Sequence, residues 1–170
     1  MELVDVYNLE RERTGKVLPR EGVFANLAED ERILLVHACV FDSGNRMLIQ
    51  QRQMTKDRYP GCWDVSAGGF VSSGEDSPDA VAREVFEELG LELSKDSLKR
   101  VCCEPFGKVL DDFYIAYEDA EIPTLRLQEA EVMNAAWAGR EEVMRMLRDG
   151  SFVDYSAELI GKMFDEAESR

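Results

Sequence analysis

Between Gly68 and Leu91 the chain reads GGFVSSGEDSPDAVAREVFEELGL, a spelling that leaves little freedom in its local structure. A glycine pair and a polar turn lead to Ser77 and Pro78, read as N-cap and first helical residue, and Gly90 supplies the stop. At about 100° per residue, Val81, Ala82, Val85, Phe86 and Leu89 fall on one side of this helix and should face a core. Glu84, Glu87 and Glu88 cluster on another side. A solvated acidic face is the ordinary explanation of such a run. Two features count against it: like charges three and four residues apart repel, and Glu87 and Glu88 lie near the helix C-terminus, where the macrodipole disfavours anions. A bound Mg2+ or Mn2+ removes both conflicts, because these cations prefer hard oxygen ligands. Mg2+ keeps several waters and completes its shell with phosphate oxygens, so an incomplete all-carboxylate site points to phosphate chemistry.

The loop ahead of the helix fits the same chemistry. Gly68, Gly69 and Gly74 permit close turns, and the first two can bring a backbone group near a metal or phosphate. Arg83 can pair with Glu75 and brace the loop, or stand as an ordinary surface arginine.

The whole chain sets the limits. At 170 residues, with 45% hydrophobic and 32% charged side chains, it suits one folded domain with a full core. We expect residues 1–30 to form a small β extension and residues 31–170 the main domain. A formal charge of -15 repels phosphate backbones, so a nucleic-acid polymer is not an expected partner. No apolar run is long enough to span a bilayer and the N-terminus lacks a signal-peptide pattern, which makes the cytoplasm the expected location and excludes a membrane role. Cys39, Cys62, Cys102 and Cys103 contain no CxxC pair and are expected as reduced thiols, with Cys39 in the core.

LVDVYNLERERTGKVLPR predicts two short strands, and ERILLVHACVFDSGNRMLIQQR predicts strand, turn at 42–45, and strand. WDVSAGG, FYIAYE and roughly Val132 to Ala138 predict further strands; REEVMRMLRDG and SAELIGKMFDEAE predict amphipathic helices. Strands and helices do not alternate regularly, which favours a mixed sheet flanked by helices over a parallel doubly wound fold.

Gly69, Glu75, Arg83, Glu84, Val85, Glu87, Glu88, Gly90 and Leu91 match every fixed position of the Nudix box, G-x5-E-x7-R-E-U-x-E-E-x-G-U, with U a bulky aliphatic residue. The chain resembles the Nudix superfamily, which implies an α/β/α sandwich around a mixed sheet. By position, the resemblance makes Glu84, Glu87 and Glu88 metal ligands and gives Glu75 and Arg83 the task of holding the loop and helix in shape; the backbone of Gly68, brought close by the glycine turn, is a further candidate ligand. Glu84 alternatively orients or deprotonates water. A glutamate beyond the box often joins the metals or acts as base; Glu131 is the first choice, with Glu129 and Asp112 behind it.

LVDVYNLERERTGKVLPR, LIQQR and YPGCWDVSAGGF further resemble the branch related to type I isopentenyl diphosphate isomerase, so the resemblance covers most of residues 1–138. It places Arg52 and Lys56 as a diphosphate-binding pair, Arg forking two oxygens and Lys adding a point charge. The isomerases carry their cysteine in a TNTCCSHP-like stretch. Here DVSAGGFV puts Ala67 and Gly68 at the cysteines and Phe70 at the histidine. His37, the sole histidine, sits in an apolar strand where a hydrogen-bonded core role is expected.

The expectation is therefore a Mg2+- or Mn2+-dependent hydrolase of a diphosphate linkage in a nucleoside diphosphate derivative or related small organic diphosphate. A non-catalytic diphosphate sensor is the alternative, and isomerisation is disfavoured. Trp63 and Trp137 are expected as core aromatics rather than base-stacking platforms. Family members often dimerise, so a homodimer is an open expectation.

Overall fold

In the computed structural model, which describes residues 1–170, the strand β3 (Ile33–Phe41) organises the molecule. Its Leu34, Val36 and Ala38 face one apolar cluster, while Cys39 and Phe41 face another. Both faces are covered, which is why the run is almost continuously apolar instead of strictly alternating. A first hairpin, β1 (Leu3–Tyr7) and β2 (Arg13–Pro19), precedes β3 and packs Val4 and Val6 against Ile33.

After β3 come β4 (Met47–Arg52), β5 (Trp63–Asp64), β6 (Ala67–Phe70), the helix α1 (Ser77–Leu89), β7 (Lys99–Phe106), β8 (Val109–Tyr117), β9 (Val132–Ala138), α2 (Arg140–Asp149) and α3 (Ala157–Glu168). β8 runs parallel to β3 along its full length, and β7 is antiparallel to β8. On its other side β3 takes two partners in turn, β6 over Leu35–Ala38 and β4 at Phe41. β4 thus splays away from β3 and pairs instead with β9 and β5. The mixed sheet expected from the sequence is present.

Helices cover both faces. Ala80, Val81 and Val85 of α1 pack with Leu34, Val36, Ala38, Leu110 and Tyr114. Val143 and Met146 of α2 and Ile160, Met163 and Phe164 of α3 pack on the opposite face with Phe41, Met47 and Ile115. Each fully buried aliphatic side chain contributes about 1.5–3 kcal/mol, so packing rather than propensity holds a helix as short as α1. Cys39 is buried as expected, and all four cysteines are free.

Several local expectations need correction. Ser77 is the first residue of α1, not its cap: Asp76 holds the N-cap position with extended backbone and no side-chain cap bond. The buried Ser77 hydroxyl turns inward to Asp112 and Tyr114. Phe86 lies outside the core, with Arg126 over its ring. WDVSAGG is two strands rather than one. β7, which no periodicity marked, is a half-exposed edge strand carrying Pro105, a residue sheets accept only at such positions.

Candidate active site

A cavity of about 1240 Å³ opens where β4 diverges from β3, and the acidic side of α1 forms one wall. Glu84, Glu87, Glu88, Gly68, Gly69, Arg83, Arg52, Lys56 and Glu131 all line it. Acidic side chains outnumber basic ones around its walls.

The loop before α1 is held by charge. Arg83 donates Nε to Glu75 Oε1 at 2.8 Å and Nη2 to Glu75 Oε2 at 2.9 Å, and Nη2 also reaches the carbonyl of Phe70. Its Nη1 reaches Glu84 Oε1 at 2.7 Å and Glu87 Oε2 at 3.3 Å. Arg83 is therefore a bracing residue rather than a free surface charge, and hydrogen bonding to Glu75 heads the causes that raise its pKa. Gly69 permits this arrangement. A Cβ there would stand 2.7 Å from Glu84 Oε2 and closer still to the other carboxyl atoms, so any side chain displaces Glu84.

Glu88 is the unusual member. Although the helical period puts it on the polar side, it is only 7% exposed, and the one hydrogen-bond partner of its carboxylate is the Gln50 side-chain amide. Burial, with repulsion from Glu84, Asp64 and Glu131 and against the pull of Gln50, pushes its carboxyl up to about 8. Burial likewise raises Glu84, against the opposing pull of Arg83. A buried carboxylate without a cationic partner is costly, and a cation repairs it. No three His, Cys, Asp or Glu side chains converge in ligating geometry: Glu84 and Glu87 turn to Arg83, and Glu88 turns to Gln50. The donor set, oxygen-rich and short of positive charge at Glu88, fits a hard divalent cation that draws these side chains together.

Across the cavity, Arg52 Nη1 donates to Asp64 Oδ2 at 3.1 Å and its Nε and Nη2 reach the Arg58 carbonyl. Lys56 pairs with Glu131. Asp112 does not line the cavity: it is fully buried beneath Arg11 and Ser77, on the side of β8 away from its neighbours Asp111 and Phe113, which removes it as a candidate base. Glu129 offers its backbone carbonyl to Gln53 and does not line the cavity. Trp63 and Trp137 also lie off the cavity; Trp63 packs against the core and Trp137 donates Nε1 to the Ala120 carbonyl.

His37 departs from expectation. It is hydrogen-bonded, through Nε2 to Asp111 Oδ1 at 3.0 Å, and stacks on Phe113, but it lies on the cavity wall rather than in the core. A Cβ on Gly68 would come within 2.8 Å of His37 Nδ1. Beside it, Tyr155 donates to Asp64 Oδ1 at 2.7 Å. Neither Gln50 nor this Tyr155–Asp64 pair carried a signal in the sequence, because each acts through partners distant along the chain.

The model for the NUDIX domain matches residues 31–157. The chain belongs to the Nudix family. An uncharacterised Nudix hydrolase of Listeria monocytogenes is 36% identical over 155 residues, covering 91% of this chain and 90% of its own length. A Deinococcus radiodurans crystal structure aligns with 95% of this chain and 99% of its own, with TM-score 0.75 and 25% identity, so the mixed sheet with flanking helices is the Nudix fold. Named hydrolases among the relatives place this Nudix chain with the diphosphate hydrolases, which generally use divalent metal ions. An isopentenyl-diphosphate Delta-isomerase of Citrobacter koseri is similar at a lower level, 26% over 130 residues, covering 73% of this chain and 72% of the isomerase. At Gly68, where the isomerase pattern has cysteine, the His37 ring occupies the space a side chain needs.

Proposed function

We propose that this Nudix chain hydrolyses a diphosphate linkage in a nucleoside diphosphate derivative or related small organic diphosphate, with Mg2+ or Mn2+ held by Glu84, Glu87 and Glu88 and the backbone of Gly68 close by. The observation that carries this is Glu88, a buried carboxylate with no cation, beside Glu84 and Glu87 on a cavity wall. A metal bound there supplies polarisation of the diphosphate and a lowered pKa for the attacking water.

The protein's own groups supply the rest. Arg52 and Lys56 take phosphate oxygens, Arg52 by its fork and Lys56 as a point charge, exchanging Asp64 and Glu131 for the substrate. Glu131, released from Lys56, becomes an acceptor on the cavity wall and is our choice for the base that orients water. Arg83 keeps Glu84 on its side of the loop, and Gln50 keeps Glu88 pointed from β4.

The test is phosphate-product release from a panel of nucleoside diphosphate sugars, dinucleotides, coenzyme A derivatives and free nucleotides, with and without divalent metal. Turnover only with metal, abolished by Glu87→Gln and by Glu88→Gln, is the expected result. Retained turnover in both variants defeats the site assignment. Metal-dependent binding without turnover across the panel would make the protein a binder instead.

A further inference from the structure

The N-terminal hairpin grips the loop and helix that carry the acidic wall. On β1, the Asp5 carboxylate accepts from Ser73 Oγ at 2.7 Å and from the Gly74 amide at 2.9 Å, while the Leu3 carbonyl accepts the Ser73 amide at 2.8 Å. From β2, Arg13 Nη2 donates to the Glu75 carbonyl at 2.6 Å, and its Nε lies 3.1 Å from Asp5. The hairpin thus holds, by backbone and charge, the residue whose side chain receives Arg83.

A second grip lies at the hairpin's turn. Arg11, in the left-handed region at φ 65°, sends Nε to Asp112 Oδ1 at 3.1 Å and Nη2 to Oδ2. Asp112 is fully buried and also accepts from Ser77 Oγ at 2.6 Å, the first residue of α1. Burial would raise the Asp112 carboxyl, but hydrogen bonds from Arg11, Ser77 and Cys103 outweigh it and hold it below its ordinary value. An ionised carboxylate at the start of a helix also complements the macrodipole. Arg11, in direct contact, and Arg100, whose Nη1 lies 3.6 Å from Asp112 Oδ2, supply the charge that lets this anchor remain ionised inside the protein.

We infer that the hairpin is a positioning brace for the metal-binding wall, with Asp5 and Arg11 as its two working residues. This rests on the hydrolase proposal above for what the wall does, but the grip itself is independent of that chemistry. Glu84, Glu87 and Glu88 keep their places on α1 because the loop is tied at Ser73 and Gly74 and the helix start is tied at Ser77. Neither Asp5 nor Arg11 lines the cavity, so each acts through the loop or helix it holds.

The full-length protein tests this with Asp5→Ala, which removes the side-chain ties to Ser73 and Gly74 without leaving a buried charge, while the Leu3 and Arg13 ties remain. Arg11→Met paired with Asp112→Asn does the same for the helix grip, and Arg11→Lys serves as the conservative control. Mn2+ affinity is read by electron paramagnetic resonance without substrate, and amide hydrogen exchange is read at 72–84. In a cooperatively folded Asp5→Ala variant, Mn2+ binding should weaken roughly tenfold or more, as for other groups that support ligands from behind. Exchange should accelerate at 72–84 and not in β3 or β8, and kcat should fall with KM little changed. Arg11→Lys should recover most of what the paired variant loses. Unchanged Mn2+ affinity and unchanged exchange in folded Asp5→Ala overturn the brace. A wild type that binds Mn2+ yet hydrolyses nothing sinks the hydrolase proposal alone, because affinity and exchange still decide the brace. A wild type that binds no Mn2+ overturns both.

Discussion

Substituting alanine for Gly69 separates the cost of distorting the acidic wall from the cost of unfolding. The new Cβ would stand 2.7 Å from Glu84 Oε2, whereas ordinary contact begins near 3.4 Å, so that oxygen must retreat by at least about 0.7 Å, 3.4 less 2.7. Gly69 is not among the residues with positive φ, so alanine strains no backbone there. The atoms that must yield are the end of a side chain, and moving them weakens the charge-assisted bond from Arg83, worth about 1.5–3 kcal/mol at most. In a chain of this size a loss of about 1–2 kcal/mol lowers Tm by roughly 2–8 °C. Catalysis should suffer more, since a displacement near 1 Å costs roughly a hundredfold. The assay is kcat well below Tm beside a thermal melt of the same sample, with Glu84→Gln and the double variant alongside. Because Gly69 acts through Glu84, the double variant should be no worse than Glu84→Gln. A Gly69→Ala enzyme that loses activity only in proportion to its unfolded fraction, or effects that simply add, would refute the role given to Glu84.

Other outcomes follow from the same wall. In metal-free protein the Glu88 carboxyl stands at about 8 in the fold against an ordinary 4.5, chiefly through burial, so the folded state binds its proton more tightly than the unfolded chain. That contribution is fully present below 4.5 and is lost as pH rises through 8. Glu88→Gln should flatten the slope and leave the metal-free protein more stable near pH 8.5 by on the order of a few kcal/mol, while abolishing turnover; denaturant titrations across pH check this, and an unchanged slope contradicts it. Arg52→Met and Lys56→Met should each raise KM roughly tenfold with a smaller change in kcat, measured by steady-state kinetics, and an unaltered KM in both removes them from substrate binding. Gly68→Cys should give no allylic product from isopentenyl diphosphate and should lower Tm, because its Cβ meets His37 Nδ1 at 2.8 Å. Product formed by that variant would show that the imidazole is no barrier.

The expectation for α1 came from period and punctuation, and it held for the span from Ser77 to Gly90 and for Val81, Val85 and Leu89 as core residues. It missed where period alone is ambiguous. Glu88 and Phe86 sit near the boundary between faces, and the neighbours decided which was covered: Gln50 from β4 meets the buried Glu88, while Phe86 stays exposed with Arg126 over its ring. Asp112 looked like a possible ligand because a carboxylate in sequence carries no address. Its place opposite Val36 on β8 puts it beneath Arg11 and Ser77 instead. β7 escaped notice because an edge strand buries too little to impose a period.

From its sequence alone this protein has an acidic helix behind a glycine-rich loop, because capping, stop and charge spacing are local properties written within 24 consecutive residues, Gly68 to Leu91. The same spacing identified the family and marked Glu84, Glu87 and Glu88 as candidate ligands. Only the tertiary structure decided which carboxylate is buried, which basic groups face it and what holds the loop. Those depend on burial and on pairings such as Gln50 with Glu88, Lys56 with Glu131 and Arg11 with Asp112. Polar groups so far apart along the chain meet only in the folded sheet, and burial sets how strongly they act on one another.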